Sequence, residues 1–261
     1  MPEKPTEIAV TSSPEPRSHD LNLLQLVLAE NAASIGSKEP APADPSPSRF
    51  DDVVEQYREQ DTKQHIGDKE TVFFGSSSIA RWNSLEDDFR TDDALNRGIN
   101  GSMLRDLDYD LNELVLKHHP HNIVLYAGTN DLMAGHSPEQ VLQDLEQIEH
   151  DIHAKLPDAE LYFVSPSLPP TAIGLKDNYE RADELTREYI SSTPNCEYID
   201  VTPDMQDAQH NPRPELFGND HLHMTPAGYA IWKRDITAAL HEHGPFPPVP
   251  EKELPPANGH A

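Results

Sequence analysis

The chain has 261 residues and a formal net charge of −26, with a hydrophobic fraction of 36 %, which leaves room for one large domain or two small ones. So acidic a surface repels phosphate backbones and anionic lipid, arguing against nucleic-acid and membrane-surface partners, while it suits a high-salt interior where dense carboxylates stay hydrated. A lone cysteine, Cys196, excludes an internal disulfide framework and a multi-thiolate metal centre.

Proline divides the chain into three parts. Residues 1–48 hold eight of the 25 prolines and residues 244–261 hold six; such segments sustain neither helix nor ladder hydrogen bonds, so both ends read as tails. A short helix is possible at 21–31. Its apolar run, 21–29 (LNLLQLVLA), lies behind Glu3, Glu7, Glu15 and Asp20 rather than a basic segment. No secretory signal is read there, no apolar stretch nears the ~18 residues of a bilayer span, and a cytoplasmic location is expected. The folded body is expected over 49–243, and it carries most of the negative charge.

Within the body, short apolar β-rich runs alternate with helical periodicity. Strands are predicted at 70–74 (ETVFF), 94–96, 122–126 (NIVLY), 160–164 (ELYFV) and 197–201 (EYIDV). Between the second and third, 102–117 reads as one helix with Leu104, Leu107, Leu111 and Leu114 on one face. Between the third and fourth, Ser137 is an N-cap, Pro138 suits the first helical position and Gln140 completes a capping box. That helix should bury Val141, Leu145, Ile148 and Ile152. Further helices are predicted over 176–191 and from Thr225-Pro226. This alternation specifies an α/β fold, a three-layer α/β/α sandwich on a five-stranded parallel sheet.

In such a sheet, ligands bind beyond the carboxyl ends of the strands. The segments there are Gly75-Ser76-Ser77-Ser78, Gly98-Ile99-Asn100-Gly101-Ser102 and Gly128-Thr129-Asn130-Asp131, and Asp220-His221-Leu222-His223 precedes the last helix. These pieces suit acyl transfer. A serine hydroxyl becomes a nucleophile when a histidine takes its proton, and a carboxylate fixes that histidine's tautomer. Asp220 and His223, three residues apart, can meet within a tight turn. Candidate oxyanion donors are the N–H groups of Ser77 and Gly101 and the side-chain amide of Asn130.

The blocks VFFGSSSIARW (72–82), NRGINGS (96–102), YAGTND (126–131) and DHLHMTPAGY (220–229) resemble the four signature blocks of the SGNH hydrolases, also called GDSL-type esterases and lipases, in the family's order. Carried over by position, the resemblance implies a flavodoxin-like sheet and a catalytic triad of Ser77, His223 and Asp220. It also implies an oxyanion hole of Ser77, Gly101 and Asn130, and no metal or organic cofactor. The family's first block usually reads Gly-Asp-Ser; here Ser76 replaces the aspartate, similar to the branch with platelet-activating-factor acetylhydrolase-like members. Spacing from Gly75 selects Ser77 over Ser76 and Ser78.

Plainer readings exist for each residue: helix capping for the serines, turn geometry for the glycines, an Asx turn at Asn130-Asp131. His118, His119, His121, His241 and His243 read as solvated helix-end residues, and Cys196 as a small buried hydrophobe. Two other functions compete. One is a metal-dependent hydrolase using Asp220, His221 and His223; the other is a catalytically inactive domain that only binds, with the tails recruiting partners. The preferred reading is a serine esterase acting on a small-molecule ester. Segment 165–175 (SPSLPPTAIGL), expected to shape its pocket, has few large apolar residues, which favours a short acyl group such as acetyl on a sugar, lipid or small alcohol.

Overall fold

The computed structural model describes residues 49–242. The two proline-rich ends, the possible helix at 21–31 and His243 lie outside the described residues.

Five parallel strands form the sheet: β1 (Thr71–Gly75), β2 (Ala94–Gly98), β3 (Asn122–Tyr126), β4 (Glu160–Val164) and β5 (Cys196–Ile199), in spatial order β2-β1-β3-β4-β5. This is the flavodoxin-like doubly wound order. Its strands are near-continuous apolar runs because both faces are covered. Val72, Phe74, Ile123, Leu125, Leu161 and Phe163 point into one buried cluster, while Phe73, Val124, Tyr126, Tyr162 and Val164 point into another. β3 and β4 lie where the sequence puts them. β5 begins and ends earlier than expected, so Asp200 and Val201 fall beyond the strand.

The helices are α1 (Asp51–Gln64), α2 (Ser77–Ala80), α3 (Leu104–Tyr109), α4 (Thr129–Met133), α5 (Pro138–Lys155), α6 (Lys176–Ser192) and α7 (Pro226–Glu242), with short helical turns between them. Helix α5 starts as its sequence dictates. The Gln140 N–H donates to Ser137 Oγ at 3.2 Å and the Ser137 N–H donates to Gln140 Oε1 at 2.9 Å. Its Val141, Leu145, Ile148 and Ile152 join the first cluster; Trp232, Ile236 and Leu240 of α7 fill the other.

The single helix expected over 102–117 is broken. Helix α3 stops at Tyr109, a second helical turn spans Leu111–Leu114, and a 3₁₀ turn spans Leu116–His118. Asp110 leaves helical geometry at φ −98°, ψ 11°, and Val115 does so at φ −129°, ψ −62°. The leucine spacing determined the buried face, and Leu104, Leu107, Leu111 and Leu114 are all buried, but face periodicity does not demand an unbroken helix. Helix α1 escaped prediction because Val54 and Asp61 are its sole buried residues, too few to imprint a period.

His118 is a correction. It is 1 % exposed, sits within hydrogen-bond distance of the Gly67 carbonyl through Nδ1 at 3.2 Å, and burial pushes it below the usual imidazole range although Gly67 opposes this. His119 and His121 are exposed, as is His241, bonded to Asp92 at 2.8 Å. Cys196 is half-buried on the edge strand, not fully enclosed, and burial pushes its thiol up to about 12. The neighbourhood of His118 explains its enclosure: Asp61 of α1 pairs with the fully buried Arg97 of β2, whose guanidinium lies 4.7 Å from the centre of the Tyr57 ring. Lys117 Nζ also stands 2.6 Å from Asp61. Because Arg97 cannot shed its charge, Asp61→Ala is expected to lower stability by about 3–5 kcal/mol, read as a reduced urea midpoint at unchanged slope.

Candidate active site

The connection after β1 runs to β2 on one side, whereas the connection after β3 runs to β4 on the other, so a crevice opens between the carboxyl ends of β1 and β3. The chain turns sharply into it. Gly75 has φ +147°, and a Cβ there would stand 2.1 Å from the Tyr126 carbonyl oxygen, so only glycine fits. The Ser76 N–H donates to that same oxygen at 2.9 Å. Ser76 is thereby buried at 2 % exposure, and Ser77, the first residue of α2, is presented at the rim.

The partner loop assembles itself locally. Asp220 Oδ1 accepts from the N–H groups of Leu222 (3.1 Å) and His223 (3.0 Å), an Asx-type turn. Its Oδ2 lies 2.7 Å from His223 Nδ1, and His223 Nε2 lies 3.1 Å from Ser77 Oγ. A carboxylate only accepts, so the ring proton sits on Nδ1 and the Nε2 lone pair faces the serine hydroxyl. The structure thus brings Ser77, His223 and Asp220 into one hydrogen-bonded chain across 146 residues of sequence. Burial works against the Asp220 charge, but donation from the His223 ring and from the two loop N–H groups overcomes it and holds this carboxyl at about 2. Asp220 is therefore anionic at neutral pH.

The expected donors stand on the same rim. The Ser77 N–H, in the first turn of α2, has no intrahelical acceptor. Gly101 is exposed at φ +79° with no atom within 4 Å of where a Cβ would stand. Asn130 Nδ2 donates to the Ser102 carbonyl at 2.8 Å, which fixes the amide plane and leaves its second hydrogen free to donate.

Several supporting residues went unpredicted. Arg49 donates to the Gly101 carbonyl at 3.2 Å and to Asp106 at 2.7 Å, and Asp106 accepts from the Met103 N–H, pinning the Gly101 turn. Arg81 donates to Asn100 at 3.1 Å and approaches Asp220 to 4.0 Å. The Tyr229 hydroxyl donates to the Ser78 carbonyl at 3.1 Å. Arg81, Asn100 and Tyr229 lie inside the sequence blocks already singled out; Arg49, at the edge of a proline-rich stretch, carries no sequence signal. His221, which a metal-centred reading needs beside Asp220 and His223, is exposed, and among the described residues no group of three convergent ligand atoms includes this trio.

A family model described as GDSL-like Lipase/Acylhydrolase matches residues 64–231. The chain belongs to that family. It is accordingly a hydrolase, and at this coarse level an ester hydrolase. No curated protein matches it. Among solved structures, this GDSL-like hydrolase is similar to a Streptococcus pneumonia protein named for platelet activating factor, with 20 % identity, 87 % of this chain and 100 % of that one covered, and a TM-score of 0.66. It is also similar to a GDSL-like lipase from Bacteroides thetaiotaomicron at 20 % identity, covering 73 % and 98 %, TM-score 0.60. A third, an acetyl-xylooligosaccharide esterase from Geobacillus, shares 16 % identity over 66 % and 94 %, TM-score 0.52. At these identities the structures establish the fold. Among the described residues of the GDSL-like hydrolase, no helix is long and apolar enough to cross a membrane.

Proposed function

We propose that the chain is a serine esterase for short-acyl carboxylic esters, with acetyl as the preferred acyl group. The observation that carries this reading is the Ser77–His223–Asp220 chain at the mouth of the β1–β3 crevice, with contacts of 3.1 and 2.7 Å. Neutral His223 takes the Ser77 proton through Nε2 as Oγ attacks the ester carbonyl carbon. The carbonyl π electrons move to oxygen, where the Ser77 and Gly101 N–H groups and the Asn130 amide meet the charge. The imidazolium, steadied by Asp220, protonates the departing alcohol, leaving an acyl-Ser77. Water, deprotonated by the same histidine, then releases the carboxylic acid and restores the serine.

The preference for a small acyl group rests on the cavity beside Ser77. It has room for about one water, about 10 Å³ for the water's centre, and is walled by Tyr126, Thr129, Ser167, Pro169, Phe217 and Trp232 among others. Two wall residues carry buried polar atoms with no partner among the described residues, Ser167 Oγ and Trp232 Nε1. Nitrophenyl esters of increasing chain length, assayed beside acetylated sugars, test this preference. The kcat/KM for acetate is expected to exceed that for octanoate by more than about tenfold; a maximum at octanoate or longer would refute the short-acyl preference while leaving the nucleophile untouched.

A further inference from the structure

Next to Asn130 in the chain and in the fold, three side chains converge, and each has one buried polar atom without a partner among the described residues. Asp131 of α4 is fully buried; its Oδ1 accepts the Leu104 N–H at 3.2 Å, but no donor among the described residues reaches Oδ2. Asp144 of α5 is 7 % exposed; its Oδ1 accepts from Arg105 Nε at 2.9 Å, and its Oδ2 is likewise unmet. His136, in the turn between the two helices, has a buried Nδ1 without a partner, 3.8 Å from Asp131 Oδ1. One donor atom from each residue lies within 4.8 Å of the others. Two enclosed carboxylates, each with one oxygen left without a donor, repel, and Arg105, whose side chain is 64 % exposed, neutralises only one of them.

We propose that Asp131, His136 and Asp144 form a binding site for a zinc-class divalent cation. Two carboxylate oxygens and one imidazole nitrogen suit Zn²⁺ or Co²⁺ better than Mg²⁺ or Ca²⁺, which favour all-oxygen sets. Tetrahedral donors at ~2.0–2.2 Å from the ion stand ~3.3–3.6 Å apart, so binding would draw the three groups together by up to about an ångström. The His136 side chain is 33 % exposed and gives the ion a way in. The second cluster of similar composition, Glu149, His153 and Cys196, differs in its hydrogen bonding. Both His153 ring nitrogens are engaged, with Glu149 at 2.6 Å and the Ala159 carbonyl at 3.0 Å, and the other Glu149 oxygen accepts from Tyr189 at 2.6 Å. That cluster is satisfied without an ion. A bound cation at the first would tie α4, which carries Asn130, to α5 and, through Leu104, to the segment that follows the Gly101 turn.

The full chain, stripped with a chelator and dialysed, is titrated with Zn²⁺ by calorimetry and with Co²⁺ by visible absorption. One equivalent is expected to bind at this site, with the d–d bands of low-coordinate Co²⁺ and a zinc-dependent rise in Tm. His136→Ala and Asp144→Asn should each weaken binding by more than about tenfold, and Cys196→Ser should leave it unchanged. His136 is partly exposed, so its variant keeps the test decisive should Asp144→Asn fail to fold. Absence of uptake by the folded wild type would overturn the proposal, as would uptake indifferent to His136→Ala or abolished by Cys196→Ser. None of these readouts depends on esterase turnover.

Discussion

Ser77→Ala is expected to lower kcat/KM on nitrophenyl acetate by roughly 10⁴-fold or more, with Ser76→Ala keeping most of the wild-type rate. Three adjacent serines make the contrast informative. Ser77 Oγ is 3.1 Å from His223 Nε2; Ser76 is buried beneath it with its N–H on the Tyr126 carbonyl; Ser78 lends its carbonyl to Tyr229. The loss should fall on kcat/KM without a change in circular dichroism, because one hydroxyl at the rim of the crevice contributes little to packing. Covalent labelling by an organophosphate should follow the same pattern. Should Ser76→Ala be the inactive variant and Ser77→Ala the active one, the nucleophile has been misassigned.

Asn130→Ala is expected to cost roughly 10²–10³ in kcat with little effect on KM. The reason lies in when its second hydrogen is used. The first is spent on Ser102 at 2.8 Å in the resting protein, so the amide is already aimed, and the second finds an acceptor of full strength only when negative charge builds on the substrate oxygen. The substitution also removes the tie to Ser102, and Tm measured alongside separates a looser turn from a lost donor. A defect confined to KM, at unchanged Tm, would rule out an oxyanion role for this side chain.

Much of the scaffold was legible because it is written in local terms. The runs NIVLY and ELYFV become strands buried on both faces, and Ser137, Pro138 and Gln140 start α5 by hydrogen bonds made within four residues. The Asp220–His223 turn is equally local, since both its backbone and side-chain contacts span three residues. Elements lacking a periodic apolar face were not legible. Half of the residues of helix α1 are charged, and it declares itself only once Asp61 meets Arg97. His118 looks like any helix-end histidine until the Gly67 loop closes over it.

The amino-acid order by itself determined the class of fold, the strand ends on which Ser77, Gly101 and Asn130 sit, and the pairing of Asp220 with His223, because each depends on neighbours a few residues away. The tertiary structure put the imidazole against Ser77, the serine that spacing from Gly75 already selects; it alone decided that the adjoining cavity is small, that Arg49 clamps the Gly101 turn, and that two aspartates and a histidine gather beside Asn130. Those outcomes depend on the direction of side chains from segments far apart in the chain, and such directions are fixed only when the sheet order brings the strand ends together.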